Sequence, residues 1–396
     1  MPANVLVVGS GFAGLWAAVG AARRLDELGV RDVDVTVVSP QPYHDIRVRN
    51  YEPDLSDCRI PLHDLLAPAG VRYVGAAVTD VDAATVRTDD GAELGYDRLV
   101  LAMGSRIVRP DVPGLAEFGF DVDTYDAAVR LQRHLRELPA DDPASATAVV
   151  VGAGLTGIET AGELPATLAA LGGRITPRVI LVDRNPHVGS DMGSAARPVI
   201  ERALRDNGIE VRTSVGLTAI DARSATLSDG EVIATATVVW CAGMRAHPLT
   251  ERLGVPMDRL GRLPVDDYLR VERMTGVFAA GDVAAARMDD EHMSVMSCQH
   301  SRPMGRFAGY NVIGDLLGEP MMPLRIPWYV TVLDLGAAGA VYTEGWDRRV
   351  VADGATAKAT KRVINRERIY PPRTGGRDAL LAAAAPTVQT APTHEG

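Results

Sequence analysis

Twice in this chain a β-branched apolar run ends in a glycine triplet and opens into a segment with helical spacing. Near the N-terminus NVLVVG leads into GFAGLWAAVGAARRLDELG and then VDVTVVS; from residue 147, TAVVVG leads into AGLTGIETAGELPATLAALGG and then RVILVDR. Each reads as a buried parallel strand, a crossover helix and a second strand. The chain is therefore expected to be α/β, with two Rossmann-type dinucleotide-binding domains built as versions of one module.

The triplets are Gly9, Gly11, Gly14 and Gly152, Gly154, Gly157. In each, the first glycine permits a tight turn, the second lets backbone approach a pyrophosphate, and the third allows close packing of helix on strand. The helix N-terminus then faces the phosphates with its partial positive charge. A lone triplet is weak evidence, because glycine also ends strands for structural reasons; one that follows a strand and opens a helix at the N-terminus is stronger.

Asp183 stands 31 positions after Gly152, at the end of RVILVD, where a carboxylate accepts both hydroxyls of a ribose. That favours NADH over NADPH, whose 2′-phosphate it repels, with Arg184 offsetting part of the repulsion. The first module has VVSPQPY instead, with Ser39 where the acid is expected. Ser39 can bond an adenosine ribose, or simply belong to a Ser-Pro turn.

With 396 residues the chain exceeds what one hydrophobic core serves, so two or three domains are expected. Its net charge of −10 argues against a nucleic-acid partner and for small molecules. Three cysteines, Cys58, Cys241 and Cys298, form no CxxC or CxxxxC, so neither a disulfide framework nor a redox dithiol is expected, and each reads as a small buried hydrophobe. No metal set is apparent. No stretch approaches the ~18 uninterrupted apolar residues of a spanning helix, and no secretory signal is visible, so a cytoplasmic protein with at most weak peripheral membrane contact is expected.

Further motifs carry a resemblance. GVFAAGDVA at 276–284, YDRLVLAMGSR at 96–106 and VVVGAGLTGIETAGEL at 149–164 stand in the order found in the FAD-dependent pyridine nucleotide reductases, and the last resembles the type II NADH:quinone oxidoreductases nearly throughout. The resemblance covers about residues 4 to 370. It implies FAD as well as NADH, with Asp282 on the flavin's ribityl chain, Gly104 in the segment joining the domains, and Glu159 beside nicotinamide and flavin. Glu159 and Glu163 lie four apart on one helix face, and a purely structural role for Glu159 stands beside the positioning one. The domains implied are an FAD-binding domain at 1–115 and 265–325, an NAD(P)H-binding domain at 116–264, a C-terminal region at 326–370 and a flexible tail at 371–396.

The likeness breaks after the flavin motif. The family carries two glutamines four apart beside the flavin ring and quinone; here, in VMSCQHSRPMGRFAGYN, Gln299 keeps the first, Pro303 replaces the second, and His300 adds a titratable group. Glu159, Gln299 and His300 are the catalytic candidates. The expected reaction passes hydride from NADH to flavin and electrons to a quinone-like acceptor. Pro303 motivates a rival, a reductase or oxidase tailoring another small metabolite; a redox sensor with little turnover is the other. The basic run KATKRVINRER at 358–368 reads as a solvated face able to touch anionic lipid. The sequence leaves a homodimer open.

Overall fold

A computed structural model describes residues 2–392, and its centre is two five-stranded sheets wound alike. The first has strands Val277–Ala279, Arg98–Leu101, Ala3–Val8, Val33–Val38 and Arg72–Val74 in spatial order, all parallel. The second runs Gly119–Phe120, Thr237–Trp240, Thr147–Val151, Arg178–Asp183 and Ile209–Thr213, again all parallel. In each, the strand preceding the glycine triplet is central. Covered on both faces, these strands can be continuous apolar runs: all five residues of Thr147–Val151 are buried. Because strand order turns about the central strand, a crevice opens at the carboxyl ends of the strands, where doubly wound sheets bind ligands.

Strand Val277–Ala279 pairs with Arg98–Leu101, so the chain returns to the first sheet after building the second. The crossover helices are α1 (Phe12–Leu28) and α2 (Leu155–Ala169). A third helix, α3 (Cys298–Leu317), lies on α1 at backbone contact. A Cβ at Gly305 would stand 2.3 Å from the Ala13 carbonyl oxygen, and one at Gly309 2.2 Å from that of Ala17. The spacing of these glycines therefore fixes α3, with Gln299 in its first turn, against the helix that opens the first triplet.

Beyond residue 326 an antiparallel sheet of Val330–Asp334, Ala340–Glu344 and Arg349–Asp353 carries α4 (Gly354–Val363). The segment expected to be a loose tail differs from that expectation: it holds α5 (Gly376–Ala383), because Leu380 and Leu381 bury against the core of the first sheet. The last four positions of that expected tail, 393–396, lie outside the described residues. No described helix is long and apolar enough to cross a membrane.

Candidate active site

At the first triplet, Gly9 adopts φ +106°, and a Cβ there would lie 2.4 Å from the Ala102 carbonyl oxygen of the neighbouring strand. A Cβ at Gly14 would lie 2.0 Å from the Gly9 carbonyl oxygen, so helix α1 can seat on the turn only without one. Gly11 is different: a Cβ there would meet nothing within 4 Å. Its open side faces a cavity of about 1370 Å³. Gly11 is the N-cap of α1, no side chain caps the helix, and its first amides are left for a ligand. Ser39 is buried on the same cavity, 2.9 Å from Ser10 through their hydroxyls.

Deeper in the cavity, Asp282 is held by the hydroxyl of Ser105 at 2.6 Å and that of Ser301 at 3.3 Å. Arg47 stands 3.9 Å from Asp282, pairs with Asp123, and donates to the Ser105 carbonyl at 3.0 Å. Gly104, beside Ser105, has open space where a Cβ would be. Gln299 lines the cavity from the first turn of α3, its side-chain NH2 buried with no partner among the described residues. Asn50 lines it too, and neither end of its buried amide has a partner there. Buried amides are costly unless bonded, so these groups fit a polar planar ligand. Amide terminus, open glycine, fixed carboxylate and orphaned amides together fit FAD.

His300 is not brought to the cavity wall. The Ser297 hydroxyl accepts its backbone N–H, and the ring turns into the protein, fully buried, with Nδ1 accepting from the Val295 N–H at 2.9 Å. Burial, with Arg262 and Arg348 nearby, pushes its pKa down to about 4, so at neutral pH it is uncharged. Its ring ties the loop before α3 to the first turn of the helix. Pro303, inside α3, supplies no N–H for the carbonyl one turn back, that of Gln299. The three cysteines are unpaired; burial pushes the Cys58 thiol up to about 11, that of Cys241 to about 12, and that of Cys298 upward as well, so none is a ready thiolate.

The second triplet repeats the first. A Cβ at Gly157 would lie 1.7 Å from the Gly152 carbonyl oxygen, and Gly154 is the N-cap of α2. Asp183 caps the turn, accepting from Ala153 N–H at 2.6 Å and Asn185 N–H at 2.7 Å. One turn into α2, Glu159 faces the cavity, 7 % exposed, and meets a partner that no motif announces: Lys361 on α4, with Nζ 2.7 Å from Oε1. Glu159 also accepts the Asp334 N–H at 3.2 Å. Lys358, one turn before Lys361, pairs with Asp334 and lies 3.7 Å from Glu163. The expected solvated basic run therefore turns two of its lysines inward, onto buried carboxylates, and leaves Arg362 and Arg366 exposed. Burial pushes the Glu159 carboxyl up while Lys361 pulls it back; burial works against the Lys361 charge too, but Glu159 and Asp334 hold its pKa above the usual value. No cluster of three or more metal-ligating side chains occurs among the described residues.

Comparison with known proteins gives this geometry its family. Residues 3–305 match the family described as pyridine nucleotide-disulphide oxidoreductase. An NADH dehydrogenase-like protein from Mycobacterium tuberculosis is 68 % identical over 98 % of this chain and 100 % of its own. A type II NADH:quinone oxidoreductase from Staphylococcus haemolyticus is 26 % identical over 93 % of this chain and 95 % of its own. In fold, the NDH2 of Plasmodium falciparum, solved with NADH, superposes with a TM-score of 0.77 at 12 % identity, covering 97 % of this chain and 98 % of the other. The family and its type II NADH dehydrogenase members use FAD and NADH. Two like-wound sheets, each opening at its glycine triplet, one large cavity beside them and a match over residues 3–305 make this chain a member of the pyridine nucleotide-disulphide oxidoreductase family.

Proposed function

We propose that this flavoprotein oxidoreductase oxidises NADH and reduces a quinone-like acceptor, NADH, a proton and quinone giving NAD+ and quinol. The observation that carries the reading is the cavity: it joins the amide terminus of α1, the orphaned amide of Gln299 and Glu159 on α2 in one space. Its volume of about 1370 Å³ exceeds the ~300–1,000 Å³ of an ordinary single-ligand pocket.

FAD, when bound, supplies the two-electron chemistry that links a nicotinamide to an acceptor. The chain's own residues do the holding. Gly11 and the first amides of α1 seat a pyrophosphate, Ser39 an adenosine ribose, and Asp282, oriented by Ser105 and Ser301, the hydroxyls of the ribityl chain. Gln299 and Asn50 offer hydrogen bonds to the flavin ring or to a carbonyl of the acceptor. Asp183 keeps lone pairs for the ribose of NADH, and Glu159, paired with Lys361, is suited to accept from the carboxamide and so position the nicotinamide. That pairing favours positioning over proton relay. The exposed Arg362 and Arg366 are left to meet an anionic lipid surface.

Asp183→Ser is expected to reduce the kcat/KM preference for NADH over NADPH by about tenfold, equivalent to ~1.4 kcal/mol. An unchanged preference would remove Asp183 from the site. Pro303 in place of a second glutamine favours a second reading, a reductase or oxidase acting on a different small metabolite. In steady-state assays a soluble menaquinone analogue should drive NADH oxidation faster than air does; equal rates would replace the first reading with the second.

A further inference from the structure

Two arginines on α3, Arg302 and Arg306, stand four residues apart and so on one helix face, and both line the cavity. They are 6 % and 3 % exposed, yet neither has a carboxylate within 4 Å among the described residues. Arg302 spends one N–H on the Gln389 side chain at 3.2 Å; Arg306 makes no hydrogen bond there, and the Nε of each is without a partner. Both guanidinium groups lie against Trp16 of α1, at 4.7 Å for Arg306 and 5.9 Å for Arg302.

Such groups are expensive. A buried charge is normally paired, and a cation–π contact offsets only part of the lost hydration. Burial pushes both pKa values down to about 10, which leaves both cationic at neutral pH. Arg368 lies on the same cavity and donates to the Thr390 carbonyl, so the C-terminal segment walls this arm. The wall beside it is apolar, with Phe12, Ile364 and Ile369 on the cavity. An apolar wall that includes the Phe12 ring, next to two uncompensated, fork-shaped cations, suits a ligand with an apolar ring bearing a carboxylate.

We propose that Arg302 and Arg306 form a carboxylate-binding subsite in the part of the cavity walled by the C-terminal segment, that the acceptor binds there, and that the acceptor this enzyme prefers is a carboxylated aromatic quinone. The proposal rests on the quinone-like reading above and narrows its substrate class. On the reading above, the pyrophosphate of FAD is seated by the amides of the α1 terminus rather than by these arginines.

The test uses the FAD-loaded enzyme and two redox-inert probes of equal shape, 2-naphthoate and the neutral 2-naphthamide, in titration calorimetry. The wild type should bind the naphthoate at least tenfold more tightly than the amide. Arg306→Gln and Arg302→Gln should each weaken the naphthoate by about 10–100-fold and leave the amide nearly unchanged. Arg306→Lys should restore part of the loss. Equal binding of the two probes, or naphthoate binding unaffected by either substitution, would overturn the subsite. Loss of FAD from the variants together with naphthoate binding would assign the arginines to the cofactor and overturn it too. Folding is not the obstacle, since Arg306→Met removes a charge without a counter-ion and its melting temperature should hold or rise.

Turnover of a naphthoquinone carboxylate against its carboxamide separates the two claims. A wild-type kcat/KM preference for the carboxylate that disappears in Arg306→Gln supports both. Arginine-dependent naphthoate binding with no turnover of either quinone keeps the subsite and rejects the quinone reading.

Discussion

Lys361→Met should cost about 3–5 kcal/mol of stability, the penalty of leaving a buried charge without its partner. Lys361 is the cation for Glu159 and also donates to the Val332 carbonyl at 2.9 Å, so the substitution strips the contact that clamps α4 and its sheet onto α2. Thermal or denaturant unfolding reads the loss directly. Its pH dependence has a definite sign. In the wild type burial already pushes the Glu159 carboxyl up and Lys361 opposes it; without Lys361 the folded-state pKa rises further above the unfolded value. The stability of a group raised in this way is complete below the unfolded carboxyl pKa and is lost as pH climbs through the folded one. The deficit of the variant should therefore be small in acid and grow toward neutral pH. Adding Glu159→Gln should recover most of it, and a deficit that is flat with pH, or a double variant no better than the single, would show that the pair is not the clamp.

The second large effect separates two glycines of the same motif, three residues apart. Gly11→Ala should fold normally, because its Cβ meets no protein atom within 4 Å, yet crowd the phosphates and weaken FAD by about 10–100-fold, as overpacking by ~1–3 kcal/mol implies. The protein should purify pale and melt where FAD-stripped wild type melts, since a ligand stabilises only the state that binds it. Gly14→Ala puts a Cβ 2.0 Å from the Gly9 carbonyl oxygen and should melt below that reference. If Gly11→Ala retained stoichiometric FAD, the α1 terminus would not be the pyrophosphate seat.

Much of this layout was legible in the chain because it is local. Each glycine triplet announces its own strand, turn and helix within about fifteen residues, and Asp282 and Gln299 sit in short strings whose order carries their meaning. What stayed hidden depends on distance in sequence. Lys361 meets Glu159 across 202 positions, so a basic run read as a solvated face proved half inward-turned. Arg47 joins Asp123 to Asp282 across two segments that share no motif, and Asn50 offers no signature at all. The orientation of His300 is a matter of helix geometry: neighbouring residues in a helix point about 100° apart, so Gln299 can line the cavity while the next side chain faces the core. Leu380 and Leu381 were lost in an alanine-rich stretch whose two large apolar residues suffice to dock α5.

Two half-reactions in one anaerobic stopped-flow experiment decide whether the enzyme passes electrons from NADH to a quinone. Enzyme loaded with FAD is mixed with NADH while the flavin absorbance is followed, and the product is then mixed with a soluble menaquinone analogue or with oxygen. Rapid bleaching by NADH, slower bleaching by NADPH, and return of the yellow colour far faster with quinone than with oxygen are the predicted results. Bleaching by NADH followed by a quinone no faster than oxygen would contradict the quinone reading and send the search for an acceptor to the arm around Pro303 and Arg306.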